Sequence, residues 1–417
     1  METWLSIAAR RVLESFYQEF GQYLGPGQDN TAQLEEIAHR LRRTVNESMF
    51  TGDASLATWR TDAEQVSLLT YLGFHDAGPS DPDAPYIPTL SSEIKRRLFA
   101  YSFTTHISSV SFTGRPPLFC RRYTSTPLPL DIKDEELFAD EATLAKTVQH
   151  VDENGWNTRG EFYPATFVRA RSMIAAIREE IFEIALGRAH KTPVDTLIGL
   201  KADQAQLISK LPPCLIYRPG DLANLNLSDQ ILYSRLMVEL ELLQNTFFIE
   251  RLLIRHGQKD TGDLLVASFY MVTFTLPFWT HLDRLAGMRA DCEWLVMGFA
   301  APAGGLLCME LLKPTLPNGQ HPSDPLISRS RIVQKLSLFV GFLDWVNPSA
   351  PNGDLCSECK SVVLRVLDQT LNGSASGGDF TAPEPLLLGS WDLPAQLDFN
   401  FDLLDTFDWL RPDVQPS

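Results

Sequence analysis

Apolar residues along this chain recur mostly every three or four positions, the spacing of an amphipathic α-helix. Residues 3–22 place Leu5, Ala8, Val12, Phe16 and Phe20 on one face, and Gly21, Gly25, Pro26 and Gly27 close the run. Residues 31–49 repeat the pattern through Leu34, Ile37, Leu41 and Val45, with Glu35, Glu36, Arg40, Arg42 and Arg43 forming a solvated face. Trp59, Val66, Leu69 and Leu72 predict a third helix over 55–72. A Pro- and Asp-rich loop follows, and then a helix from residue 93 carrying Ile94, Leu98, Tyr101 and Thr105, its stripe widened by Phe99, Phe103 and Ile107. That helix should stop near Gly114, because Pro116 and Pro117 forbid its continuation.

Downstream, residues 118–133 read as an extended segment and 134–149 as an acidic, mildly helical run. The longest clear helix spans 165–190, through Phe167, Ile174, Ile177, Ile181 and Ile184. Further helices are expected over 192–210, 229–256, 264–279, 294–312, 329–345 and 361–371. Alternating β-branched runs bounded by hairpin turns are essentially missing. The expected fold class is therefore all-α: a multi-helix domain packed around an extended core, followed by a disordered acidic C-terminal tail. The expected organisation is N-terminal helices over 1–54, a helical domain over 55–371, and a linker with tail over 372–417.

The tail changes character after the Gly- and Ser-rich linker at 372–378. Between residues 390 and 413, Asp392, Asp398, Asp402, Asp405, Asp408 and Asp413 interleave with Trp391, Phe399, Phe401, Leu404, Phe407 and Trp409. Repulsion among the aspartates keeps the aromatics from collapsing inward. Such a segment folds as a helix in a partner's apolar groove, with Phe401, Leu404 and Trp409 as anchors. The alternative is a C-terminal helix docked on its own domain with an acidic outer face.

Composition narrows the chemistry. The net charge is −16 over 417 residues, which repels a phosphate backbone and argues against unaided nucleic-acid binding. The runs 264–279 and 294–312 are apolar, but one is short for a bilayer and the other is broken by Pro302, Gly304 and Gly305, so both read as core helices. The six cysteines, Cys120, Cys214, Cys292, Cys308, Cys356 and Cys359, are scattered, and the first residues read as an ordinary amphipathic helix, which together fit a reducing compartment. Cys356 and Cys359 supply half a zinc site, so they read as reduced cysteines near a loop. No phosphate-binding loop, dinucleotide fingerprint, nucleophile elbow or zinc-protease motif occurs, and Lys133 interrupts the acids Asp131, Asp134, Glu135 and Glu136 where a tight Mg²⁺ site needs oxygen ligands. His75, His106, His150, His256 and His281 are dispersed and read as core or surface histidines. No cofactor and no enzymatic activity are expected.

One group of motifs points to a family. Glu93, Arg96, Arg97, Leu98 and Phe99 open the central helix; Gly114, Arg115, Pro116 and Pro117 end it; Pro127, Leu128 and Pro129 precede Asp131, Asp134, Glu135 and Glu136. In this order and spacing they resemble the middle homology region of fungal zinc-cluster transcription factors, over about residues 55–315. Leu72, Gly73, Phe74, His75 and Asp76 resemble a further step of that region, with Phe74 for the usual leucine and no arginine between His75 and Asp76. Leu200, Leu207, Leu211 and Pro212, and later Leu252, Leu253 and Arg255, resemble two more. The resemblance implies a nuclear, all-α regulator of transcription, with Arg96, Arg97 and the Gly114–Pro117 turn in structural roles. The family's six-cysteine zinc cluster and basic run do not occur in these 417 residues. DNA contact is then expected from an upstream segment or from a partner in a homo- or heterodimer, and contact with coactivators or the transcription machinery from the tail. The competing expectations are an all-α metabolic enzyme without a recognisable motif and a scaffold or co-regulator without activating power.

Overall fold

The computed structural model describes residues 56–78, 86–187, 192–285, 292–350 and 353–372. The helices expected over 3–22 and 31–49 lie outside the described residues, as does the tail with Trp391, Phe399, Phe401, Leu404, Phe407 and Trp409. Among the described residues the regular structure is helical, and the only β pairing is two isolated bridges, Val151 with Asn157 and Gln320 with Ser328. The all-α class is the observed one.

The chain divides into two compact units. The first takes in described residues up to Val110, then Pro116–Glu179 and Gln206–Ile216. It contains α1 (Leu56–Tyr71), most of α2 (Leu90–Thr113), α3 (Glu141–Val148) and the larger part of α4 (Pro164–Leu186). Helix α1 closes with paired backbone bonds, Phe74 N–H to Leu69 and Gly73 N–H to Thr70, and Gly73 supplies the left-handed φ of 70° that this ending requires. Helix α2 ends at Thr113, and Gly114 takes φ 61°, so the stop expected from the sequence is where the helix ends. The acidic, mildly helical run expected over 134–149 forms two short helices. The turn Asp134–Leu137 ends at Phe138, and Asp140 caps α3 by accepting the Thr143 N–H at 2.9 Å. Ile132, Leu137 and Leu144 form a small core beneath them.

The second unit takes in Ser111–Arg115, Glu180–Ala205 and the residues from Tyr217 onward. It holds most of α5 (Pro193–Lys210), then α6 (Asp229–Arg255), α7 (Asp263–Thr275), α8 (Ala301–Leu312), α9 (Arg329–Trp345) and α10 (Gly353–Asn372). Helix α6 is buried nearly all round; α7 packs on it and on α8, and α8, α9 and α10 pack on one another. Ser228 and Ser328 cap α6 and α9. Before α8 the chain makes a π-turn, Val296–Ala300, and Gln244 on α6 donates to the Gly298 carbonyl at 2.8 Å. At Gly304 a Cβ would sit 3.1 Å from the Phe339 ring, so the glycine lets α8 approach α9 closely.

The stretch Asp263–Thr280 has the length and hydropathy of a membrane span, but most of it is buried inside the protein, as a core helix would be. The C-terminal helix is longer than expected: it starts at Gly353 rather than 361, so Cys356 and Cys359 lie in a helix and not beside a loop. Both thiols face inward at the spacing of Val363, Val366 and Leu367, and Cys356 Sγ lies 4.0 Å from Met297 Sδ. A short, polarizable thiol fills such a core position as a small hydrophobe, which spacing read without the rest of the stripe does not reveal. Burial pushes the Cys308 thiol up to about 12 and raises Cys359 further from reactivity.

Candidate functional site

The first unit concentrates its buried charge at the head of α2. Thr89 and Ser92 start the helix by exchanging side-chain and backbone bonds, Thr89 N–H to Ser92 Oγ at 2.9 Å and Ser92 N–H to Thr89 Oγ1 at 3.1 Å. The next residue, Glu93, is 0% exposed. Its Oε1 accepts from the Tyr86 hydroxyl at 2.9 Å, and its Oε2 accepts the Leu130 N–H at 2.9 Å. Arg96 Nη1 stands 3.5 Å from Oε1, and the Arg96 guanidinium lies 3.6 Å over the Tyr86 ring. Burial raises the Glu93 carboxyl, opposed by the Leu130 bond and by Arg96.

Arg97 reaches the same segment four residues further along. Its Nη1 donates to Asp134 Oδ1 at 2.6 Å and its Nη2 to the Ile132 carbonyl at 2.7 Å. A planar fork that satisfies a carboxylate and a carbonyl together is a task for arginine rather than lysine. Glu93 and Arg97 thus hold both sides of the strip 130–134 against α2.

Helix α4 closes the arrangement from its own side. Arg169 donates to the Pro129 carbonyl at 2.6 Å and to the Asn154 carbonyl, and it lies 5.2 Å over the Trp156 ring. Asp131, 1% exposed, accepts from the Thr166 hydroxyl at 2.6 Å and from the Asn157 backbone and side chain at 3.1 and 2.5 Å. Burial raises its carboxyl, and those bonds oppose the rise. Gly155 sits against Arg169 with φ 79°, where a Cβ would fall 2.5 Å from the guanidinium. Replacing Gly155 by alanine is therefore expected to destabilise the protein by at least about 1–2 kcal/mol, the usual cost of a left-handed L-residue. A thermal-melt series that placed G155A level with wild type would contradict this packing.

The residues singled out in the sequence fall into two places. Arg97 meets the Pro129–Asp134 segment directly, while Arg96 stands beside Glu93 and over the Tyr86 ring. Gly114, Arg115, Pro116 and Pro117 lie at the far end of α2, about 25 Å along the axis from Arg97 at 1.5 Å per residue. There Gly114 is buried, Arg115 and Pro117 are half-buried, and Pro116 is exposed. Tyr86, Trp156, Asn157, Thr166 and Arg169 belong to the clamp and were not foreseen. Arg169 had one visible signal, a charged side chain in the inward register of α4, a signal it shares with the buried Arg178 and Glu179. Tyr86 and Asn157 sit in loops, where no periodicity marks an inward side chain.

Chemically the arrangement is a latch. Glu93, Asp131 and Asp134 each accept from protein donors, and Arg97 and Arg169 donate terminal N–H groups to backbone carbonyls and to the Asp134 carboxylate. Among the described residues, no group of three His, Cys, Asp or Glu side chains is placed to hold a metal ion. In the second unit, Glu310, Leu311, Pro314, Leu316, Gly319 and Arg329 line a recess of about 20 Å³, room for one water molecule. No family model matches the chain, and neither the curated proteins nor the solved structures contain a match to it.

Proposed function

We propose that this chain is the regulatory portion of a nuclear transcription regulator of the fungal zinc-cluster type, acting through its helical units and an activating C-terminal tail. One observation carries the reading. Two motif residues that suggested the family, Arg97 and Asp134, are 37 positions apart yet bond directly, and Glu93 of the same motif accepts the Leu130 N–H from the same strip. The tail adds a second support, its alternation of aspartates with Trp391, Phe399, Phe401, Leu404, Phe407 and Trp409. The net charge of −16 favours protein partners over phosphate backbones. DNA contact on this reading comes from a dimer partner or from sequence beyond these 417 residues.

The test is a reporter assay with the full chain fused to an unrelated DNA-binding domain. Expression of the reporter should rise severalfold, and removal of 379–417 should abolish the rise, as should joint replacement of Phe401, Leu404 and Trp409 by alanine, because a few aromatic anchors dominate such interfaces. The truncated chain should still unfold cooperatively, at the denaturant midpoint of the full chain. A stable, nuclear fusion that leaves the reporter silent would overturn the activating role and favour a scaffold.

A further inference from the structure

The interface between α1 and α2 buries a second ionisable pair, distinct from the clamp. Asp62 on α1 and His106 on α2 are 1% and 2% exposed, with Asp62 Oδ2 standing 3.9 Å from His106 Nδ1. Helix α2 presents Ser102, His106 and Ser109 along one stripe, at i, i+4 and i+7. Gln65 on α1 donates to Ser102 Oγ at 2.8 Å, next to the Asp62 contact. The imidazole is oriented from its far side: Leu118 N–H donates to His106 Nε2 at 2.8 Å, and the Phe119 ring meets it edge-on at 6.0 Å. With Nε2 accepting, the ring proton belongs on Nδ1, facing Asp62. A second proton at Nε2 would set one N–H against another, so this site holds the neutral imidazole. Among the described residues, neither Asp62 oxygen receives a hydrogen bond of good geometry. A buried carboxylate in that position is costly, and the neutral acid is the form the interface favours.

We propose that Asp62 and His106 form a proton-exchange pair: in mildly acidic solution the unfolded chain carries a proton on the imidazole, and folding moves it to the carboxylate. The step balances, since one N–H bond breaks, one O–H bond forms, and the pair is neutral overall before and after. Its consequence is a helix interface whose stability stays level where a lone buried histidine or a lone buried aspartate would each make it pH-sensitive.

The shifts agree with the geometry. Burial pushes Asp62 from 3.8 up to about 6, with the neighbouring Ser109 hydroxyl opposing, and burial alone pushes His106 from 6.5 down to about 4. Asp62 binds more proton folded than unfolded between about pH 4 and 6, so its contribution to stability falls as pH rises through that window. His106 binds less proton folded than unfolded between about pH 4 and 6.5, so its contribution falls as pH drops. The two slopes oppose and nearly cancel. Nearby charges are committed elsewhere or exposed: Arg60 and Glu64 on α1 face solvent, Arg96 and Arg97 lie at the clamp, Arg121 and Arg122 are exposed, and Glu179 on α4 accepts the Arg121 N–H.

Denaturant midpoints of the full chain between pH 4 and 7 test this, each variant being read as its difference from wild type. Asp62→Asn should lose stability as pH falls from 6.5 to 4, uncovering the histidine. His106→Gln keeps an acceptor for Leu118 and should gain stability as pH falls from 6 to 4, uncovering the aspartate. Each slope should approach tenfold in the folding equilibrium per pH unit, with opposite signs. Variants that track wild type in parallel, or slope the same way, would overturn the pairing. Should either variant fail to fold, NMR of the wild-type chain decides: a His106 imidazole neutral down to about pH 4 supports the pair, and one titrating near 6.5 refutes it.

Discussion

Replacing Glu93 with alanine is expected to destabilise the first unit by about 3–5 kcal/mol, the cost of removing one partner from a buried ion pair. Three groups lose their acceptor together. The Leu130 N–H is left without its acceptor, the Tyr86 hydroxyl falls back on Ser92 Oγ at 2.8 Å, and Arg96 keeps a buried charge that has lost its carboxylate. Glu93→Gln separates shape from charge. It retains one carbonyl oxygen for Leu130 or Tyr86 and removes the negative charge, so it should fall between alanine and wild type. Hydrogen exchange gives a local readout, because the Leu130 amide should lose protection in E93A while amides in α6 keep theirs. Leu130 protection unchanged in E93A would mean that the clamp does not hold the 130–134 strip.

The second large effect belongs to an apolar site. Phe342 on α9 is fully buried, stacked on Trp279 at 6.2 Å and tilted against Trp345 at 6.1 Å. Phe342→Ala should cost about 3–5 kcal/mol, through lost transfer energy and a cavity that the two indoles cannot fill. Phe342→Leu preserves much of the volume and should cost less. Indole fluorescence provides the check, since both tryptophans line the vacated space and their emission should shift in the folded alanine variant. A midpoint for F342A within the error of wild type would show that the aromatic stack adds nothing to the core.

These sites differ in how visible they were beforehand. Phe342 sits in the inward register of α9 with Leu336, Phe339 and Leu343, so its burial follows from periodicity. Glu93, Arg96 and Arg97 form a motif visible in the sequence, but nothing local says which carbonyls an arginine will take. Ile132 and Asp134 are 35 and 37 positions from Arg97, and Pro129 is 40 from Arg169. In the sequence His106 is one dispersed histidine among several. Its interest lies in Asp62, 44 positions earlier, and in the Leu118 amide beyond the end of α2.

Local pattern alone determined the all-α class, the positions of most helices and the stop at Gly114, because helical spacing, proline geometry and the left-handed freedom of glycine act over a few residues. It set neither the division into two units, nor the helical setting of Cys356 and Cys359, nor the partners of the buried charges. Those depend on which helix faces meet. A buried ion pair is stable only when both partners and their remaining hydrogen bonds arrive together, and that condition is met in space, after packing, rather than along the chain.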